Sequence, residues 1–222
     1  MKVKLTLFLF LIGVFQFVHA DILGEMGINK TAYKAIKDGN IELVRELISQ
    51  GLDPNHRLGK PGNVMGSAAF YERPAILAEL IAAGGNIHHK LNERMYFTNF
   101  VASRDNFEML KIVVAEKPDF NSLMYLDQFT MFTGLLKSMG PEGLEYILEN
   151  SNADVNFKPE HGFSALYLAY EHGKCGIGCV ETLLEHCADP SLEAGWDNGT
   201  FTEYVTRQGD LEVLRLIESQ EC

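Results

Sequence analysis

A set of four apolar residues recurs along this chain at an interval of about 33 residues. Leu43, Val44, Leu47 and Ile48 return as Ile76, Leu77, Leu80 and Ile81, each shifted by 33, and again by 33 as Met109, Leu110, Val113 and Val114. Leu144, Ile147 and Leu148 continue the set at 34, with Gly143 in the first slot. Cys179, Val180, Leu183 and Leu184 follow at 36, then Val213, Leu214 and Ile217 at 34, where Glu218 fills the last slot. Spacing of i, i+1, i+4, i+5 puts four side chains on one stripe of a helix. Upstream of the stripes lie shorter helical patterns of small or apolar residues: Ala32, Ala35, Ile36; Met65, Ala68, Ala69; Phe132, Leu135, Leu136; Leu166, Ala169, Tyr170. Each unit therefore reads as two antiparallel helices, and since neither can bury its stripe alone, the units must stack.

The connections between units are polar and turn-rich. Gly51 and Gly84 stand where a helix can end in a left-handed cap. Beyond the second helices come Asp53-Pro54-Asn55, Asn86-Ile87-His88, Asp119-Phe120-Asn121, Asp154-Val155-Asn156 and Asp189-Pro190-Ser191. With these residues in place, the chain resembles the ankyrin-repeat family. The likeness rests on Gly39-Asn40, Leu43-Val44, Leu47-Ile48 and Gly51 to Asn55 in the first unit, and on Gly162 to Ala169 in the fifth. It runs from about Ile28 to the C-terminus. The family's Thr-Pro pair is missing throughout, Ser164-Ala165 being the nearest match, and Thr98, Val101, Phe132 and Leu135 depart from its usual helix starts. The resemblance implies an all-α fold, an ankyrin-repeat solenoid of about six helix-turn-helix units near 28–59, 60–92, 93–125, 126–159, 160–195 and 196–222. It also implies a binding role with no cofactor.

The N-terminus carries a separate signal. Lys2 and Lys4 precede the apolar run Leu5 to Val18, and Val18-His19-Ala20 places small residues where a signal peptidase needs them. That layout predicts a signal peptide over residues 1–20 and a repeat domain over 21–222. The run is short of the about 20 apolar residues that span a bilayer, so no stable membrane insertion is expected after cleavage. The expected location is the periplasm of a bacterium or the outside of the cell.

Charge narrows the partner. The formal net charge is −11, and −13 without Lys2 and Lys4 of the predicted signal peptide. A surface this acidic repels phosphate, which argues against nucleic acid. It suits another protein, basic in character.

Four cysteines in an exported chain point to disulfides, and four allow three pairings. In the fifth unit two residues are inserted between the helices, and Cys175 and Cys179 bracket that loop. On the repeat alignment Cys187 and Cys222 fall within one residue of equivalent helix ends. The expected pairs are Cys175 with Cys179 and Cys187 with Cys222. A competing reading is zinc held by His172, Cys175, Cys179, His186 and Cys187, whose spacing matches no familiar finger.

No catalytic constellation emerges. Glu160-His161 and His88-His89 lie at expected unit tips without a nucleophile at triad spacing. Gly59-Lys60-Pro61-Gly62 lacks the order of a phosphate loop and fits a turn. Asn29-Lys30-Thr31 and Asn198-Gly199-Thr200 are glycosylation sequons.

The family resemblance implies binding through unit tips and the exposed side of the first helices. By position these partner-binding residues are Lys60, Glu93, Met95, Asp127, Phe129, Glu160, His161, Phe163, Trp196 and Asp197. Trp196, the single tryptophan, lies in a turn-like stretch, and aromatics beside charge commonly anchor interfaces. The first functional expectation is a non-enzymatic protein-binding module, in concrete form an immunity or inhibitor protein for an exported toxin. The alternative is an envelope stress factor that assists a redox or metal enzyme through its cysteine and histidine cluster.

Overall fold

Among the described residues six helix pairs follow one another in the register of the apolar stripes. The computed structural model describes residues 27–59, 62–92, 95–104, 106–124, 128–195 and 199–222, the side chains of Asn92 and Met95 excepted. The predicted signal peptide lies outside the described residues. The chain divides into two compact units, the first ending at Asn86 and the second running Ile87–Cys222.

The first unit contains α1 (residues 27–38), α2 (Ile41–Ser49), the hairpin β1 (Arg57–Gly59) and β2 (Gly62–Asn63), α3 (Val64–Phe70) and α4 (Pro74–Ala82). Gly59 pairs with Gly62 across that hairpin. In the second unit, hairpins β3 (Lys90–Asn92) with β4 (Met95–Tyr96), and β5 (Leu123–Met124) with β6 (Phe129–Thr130), precede first helices α5 (Phe97–Ser103) and α7 (Met131–Leu135). Their second helices are α6 (Phe107–Ala115) and α8 (Pro141–Asn150). Two more pairs follow, α9 (Ala165–His172) with α10 (Ile177–Glu185) and α11 (Phe201–Gln208) with α12 (Leu211–Glu218).

The caps of the second helices explain the uneven spacing of the stripes. These helices start after Asn40, Arg73, Asn106, Gly140, Gly176 and Asp210, at intervals of 33, 33, 34, 36 and 34. Those are the shifts of the apolar sets, so every set occupies the same places in its helix. Asn40, Asn106 and Asp210 accept hydrogen bonds from amides of the first turn, and Pro74 and Pro141 open two of the three helices that lack such a cap, the third following Gly176. All four stripe residues are buried in α6 and α10, and Val213 is the buried one in α12. Burying each such side chain contributes about 1.5–3 kcal/mol.

At the far ends, Gly51 and Gly84 take left-handed conformations, φ +96° and +94°. Lys117 and Cys187 hold the equivalent place after α6 and α10 at +52° and +61°, which L side chains adopt at a cost.

Successive connections are clamped by side-chain amides. Within the first unit Asn55 accepts from Asn86 N (2.8 Å) and donates to Gly84 O (3.0 Å). In the second, Asn121 accepts from Asp154 N (2.9 Å) and donates to Asn152 O (2.7 Å). Asn156 then accepts from Asp189 N (2.7 Å) and donates to Cys187 O (3.0 Å). The aspartate two residues earlier holds each asparagine in place: Asp53, Asp119 and Asp154 accept from the amides of Asn55, Asn121 and Asn156. An Asp-x-Asn turn thus supplies one donor and one acceptor to the next connection, as a short piece of strand would.

Candidate partner-binding surface

The tips of the second unit are packed through glycines. A Cβ on Gly162 would come within 2.5 Å of Gln128 O, and one on Gly195 within 2.5 Å of the Phe163 ring. Gly195 also holds φ +127°, outside the range of L side chains. The two glycines let neighbouring tips close up, and Phe163 lies half-buried against Gly195.

From there a row of aromatic rings crosses the first helices. Phe129 on β6 stacks with Phe163 (centroids 6.0 Å, 27°), and Phe163 with Tyr167 on α9 (5.3 Å, 12°). Tyr167 meets Tyr204 of α11 edge-on (5.1 Å, 71°). Tyr170 joins Tyr204 and the buried Phe201 at 6.3 and 6.0 Å. Such offset and edge contacts suit the ring quadrupoles. Lys137 Nζ lies 5.1 Å over Phe129 at one end, and the Arg207 guanidinium 5.8 Å over Tyr204 at the other. Except Phe201, the rings are half-buried, and Phe129, Phe163, Tyr167 and Tyr170 pack against the core.

Hydroxyl groups fix the row to carboxylates. Tyr204 donates to Glu171 Oε1 at 2.7 Å, and Tyr170 to Asp210 Oδ2 at 3.1 Å. The Tyr204 phenol is pushed up to about 12, chiefly by its bond to Glu171 and then by burial. Burial first, then Asp210, raises Tyr170.

The expected partner-binding residues are placed as follows. Phe129 and Phe163 meet in the ring row, while Glu160 and His161 are exposed on the turn just before Phe163. Met95 lies in β4. Lys60, Glu93, Asp127, Trp196 and Asp197 lie outside the described residues. Sequence reasoning missed Tyr167 and Tyr204, which are one face of two helices, and the exposed tip residues Leu123 (48%) and Phe157 (39%).

Acidic charge does not concentrate on this side. Helices α8, α10 and α12 carry Glu142, Glu145, Glu149, Glu181, Glu185, Glu212 and Glu218 against Arg215. Helices α7, α9 and α11 carry Glu171 and Glu203 against Arg207. In these three pairs the acid excess therefore stands on the second helices.

The cysteines form two close pairs, Cys175 with Cys179 (Cα–Cα 5.4 Å) and Cys187 with Cys222 (5.6 Å). His186 faces Glu145 of α8 instead, Nε2 to Oε2 3.2 Å. Among the described residues no group of three or more His, Cys, Asp or Glu side chains is arranged to hold a metal. The Asn29 sequon lies within α1 with its asparagine 6% exposed, a poor acceptor for a glycan, and Asn198 lies outside the described residues. Among the described residues no helix is long and apolar enough to cross a membrane.

No family model matches the chain. YahD of Escherichia coli K12, named as an ankyrin repeat protein, is 27% identical over 195 residues, covering 82% of this chain and 92% of YahD. An ankyrin repeat domain from Acinetobacter baumannii AYE superposes with TM-score 0.70 at 18% identity, over 85% of this chain and 96% of that one. A chain from the complex of the Bdellovibrio bacteriovorus predatory endopeptidase Bd0816 with immunity protein Bd3460 gives TM-score 0.64 at 16% identity, over 86% of this chain and 97% of that one. The stripe register, the paired helices and these likenesses agree on an ankyrin-repeat solenoid as the fold of this chain.

Proposed function

We propose that this chain is an exported, non-enzymatic protein-binding module that acts as an immunity or inhibitor protein toward a secreted enzyme. The observation that carries the reading is the row of half-buried rings from Phe129 to Tyr204, beside the exposed apolar tips Leu123 and Phe157. Rigid, half-buried aromatics give large contact area at small entropic cost, the usual make-up of interface anchors. Export is supported by the sequence of residues 1–20, and the two close cysteine pairs suit disulfides in an oxidising compartment. The inhibitor form is supported by the fold shared with a chain of the Bd0816–Bd3460 complex.

The test is a pull-down with residues 21–222, exported to an oxidising compartment, with captured proteins identified by mass spectrometry. The reading expects one secreted enzyme whose activity falls on binding, and loss of capture when Phe163→Ala and Trp196→Ala are combined. Capture of nothing, or of a protein indifferent to both changes, rules it out.

A further inference from the structure

We propose that the bond between Cys187 and Cys222 is a redox switch, whose reduction by a dithiol releases the last helix pair and with it the far end of the ring row. The proposal rests on the protein-binding reading only for what the switch controls, the surface offered to the partner.

The end of the array is closed differently from its interior. Asn156, in the connection after α8, clamps the connection after α10 through Asp189 N and Cys187 O. In that next connection the place of the asparagine is taken by Ser191. Its amide still donates to Asp189 Oδ1 (2.8 Å), but its short side chain makes no such clamp among the described residues. The tail after α12 reaches back instead. Gln220 Nε2 donates to Leu184 O (3.1 Å) and Ala188 O (2.9 Å), and Cys222 is bonded to Cys187 (Cα–Cα 5.6 Å). One covalent bond and one amide therefore stand where the interior has an asparagine.

The last helix pair is otherwise lightly held. Val213 is the fully buried residue of α12, and Phe201 and Val205 are those of α11. The same pair completes the ring row. Tyr204 of α11 stands edge-on to Tyr167 and donates to Glu171, and Asp210 at the start of α12 accepts from Tyr170. Releasing the tail thus loosens the ties of both tyrosines.

Access separates the two cysteine pairs. Cys179 is fully buried and Cys175 packs against the core, whereas Cys187 and Cys222 are both exposed. An open cavity of about 350 Å³, lined by Leu216, Gln220, Glu181, Glu185 and Glu221, lies beside Cys222 and gives an attacking thiol room. One thiolate of the dithiol attacks a sulfur of the bond, and the other cysteine leaves as a thiolate and takes up a proton. The second thiol of the reductant then gives up its proton and displaces the first cysteine, which is protonated in turn. The dithiol ends as a disulfide, and its two electrons leave Cys187 and Cys222 as thiols. Because the rate depends on access to the sulfur, exposure selects this bond and spares Cys175–Cys179.

The test adds dithiothreitol in steps to oxidised residues 21–222. Thiols are mapped by alkylation and mass spectrometry, hydrogen exchange is followed helix by helix, and the cross-peak between the rings of Tyr167 and Tyr204 is followed by NMR. The proposal expects Cys187 and Cys222 to become alkylatable about tenfold faster than Cys175 and Cys179. With that step, exchange in α11 and α12 should rise about a hundredfold and the ring cross-peak should disappear, while α2 and α4 stay as they were. Reoxidation should restore both signals. Cys187→Ser combined with Cys222→Ser should show the released state without reductant, and Cys175→Ser combined with Cys179→Ser should still switch. Equal reduction rates for the two bonds, or reduction that leaves α11 and the ring cross-peak unchanged, would overturn it.

The two readings fail differently. A captured partner that stays bound through reduction of Cys187–Cys222 keeps the binding module and refutes the switch. Absence of any captured partner refutes the binding module, and the alkylation, exchange and NMR measurements still decide whether the last pair is released.

Discussion

Tyr204 gives its hydroxyl proton to Glu171 across 2.7 Å, tying the first helix of the last repeat to that of the repeat before it. Ionising Tyr204 would place two negative charges at this distance, so the phenol is held up to about 12 against an ordinary 10.0. A group whose folded pKa is raised gives stability that is fully present below its unfolded pKa and is lost as pH rises through the folded one. The window is therefore pH 10 to about 12. Following the Tyr204 ring by NMR should give a midpoint near the upper figure, and Glu171→Gln should bring it back toward the ordinary range. A normal Tyr204 titration in the unaltered chain would exclude the bond in solution.

Removing one clamp should loosen its neighbours. Asn156→Ala deletes both the bond accepted from Asp189 N and the one donated to Cys187 O. Each is worth about 0.5–1.5 kcal/mol net, so urea unfolding should lose about 1–3 kcal/mol. Asn156→Asp should cost at least as much, because it keeps the acceptor but sets a carboxylate against the Cys187 carbonyl. Hydrogen exchange at the Asp189 amide should speed up in both. An unchanged exchange rate would contradict the clamp.

The stacking register was legible in the sequence because one interval governs both the apolar stripes and the helix caps. Even the interval of 36 carried its cause, the two residues inserted between α9 and α10 beside Cys175. The clamps were not legible. Asp-x-Asn reads locally as a turn, and its partners are backbone groups 29–33 residues away that no composition marks. The candidate site was half visible. Phe129 and Phe163 stood out at the tips, whereas Tyr167 and Tyr204 looked like ordinary helix residues until the pairs were stacked. Net charge marked no place on the surface, because a count over the chain has no direction, and the seven carboxylates of α8, α10 and α12 emerge only once the helices are placed.

Gly195→Ala tests whether close tips hold the ring row in place. The new methyl would meet Phe163 at 2.5 Å on a residue with φ +127°. Backbone strain of this kind costs about 1–3 kcal/mol, and the ring must also move. The variant should lose that stability and the near-ultraviolet circular dichroism of the stacked rings. Gly209→Ala is the comparison: it shares a positive φ (+72°) but has open space around its Cβ position. Equal loss of the aromatic signal in both variants would mean that the Phe163 contact does not hold the row.

The cysteine pairs should differ in what they stabilise. Cys175 with Cys179 spans four residues, from the loop after α9 into the first turn of α10, whereas Cys187 with Cys222 spans 35 and joins the end of α10 to the segment after α12. In the chain-entropy model the longer closure is worth about 3–4 kcal/mol, and α12 buries little of its own, so the cross-link supplies much of what holds α11 and α12. The mature protein should contain no alkylatable thiol unless reduced. Replacing Cys187 and Cys222 together by alanine should lower unfolding free energy by about that amount. Hydrogen exchange should rise in α11 and α12 and stay unchanged in α2 and α4. Two free thiols in protein made in an oxidising compartment, or an exchange increase spread evenly over all helices, would refute this assignment of the longer pair.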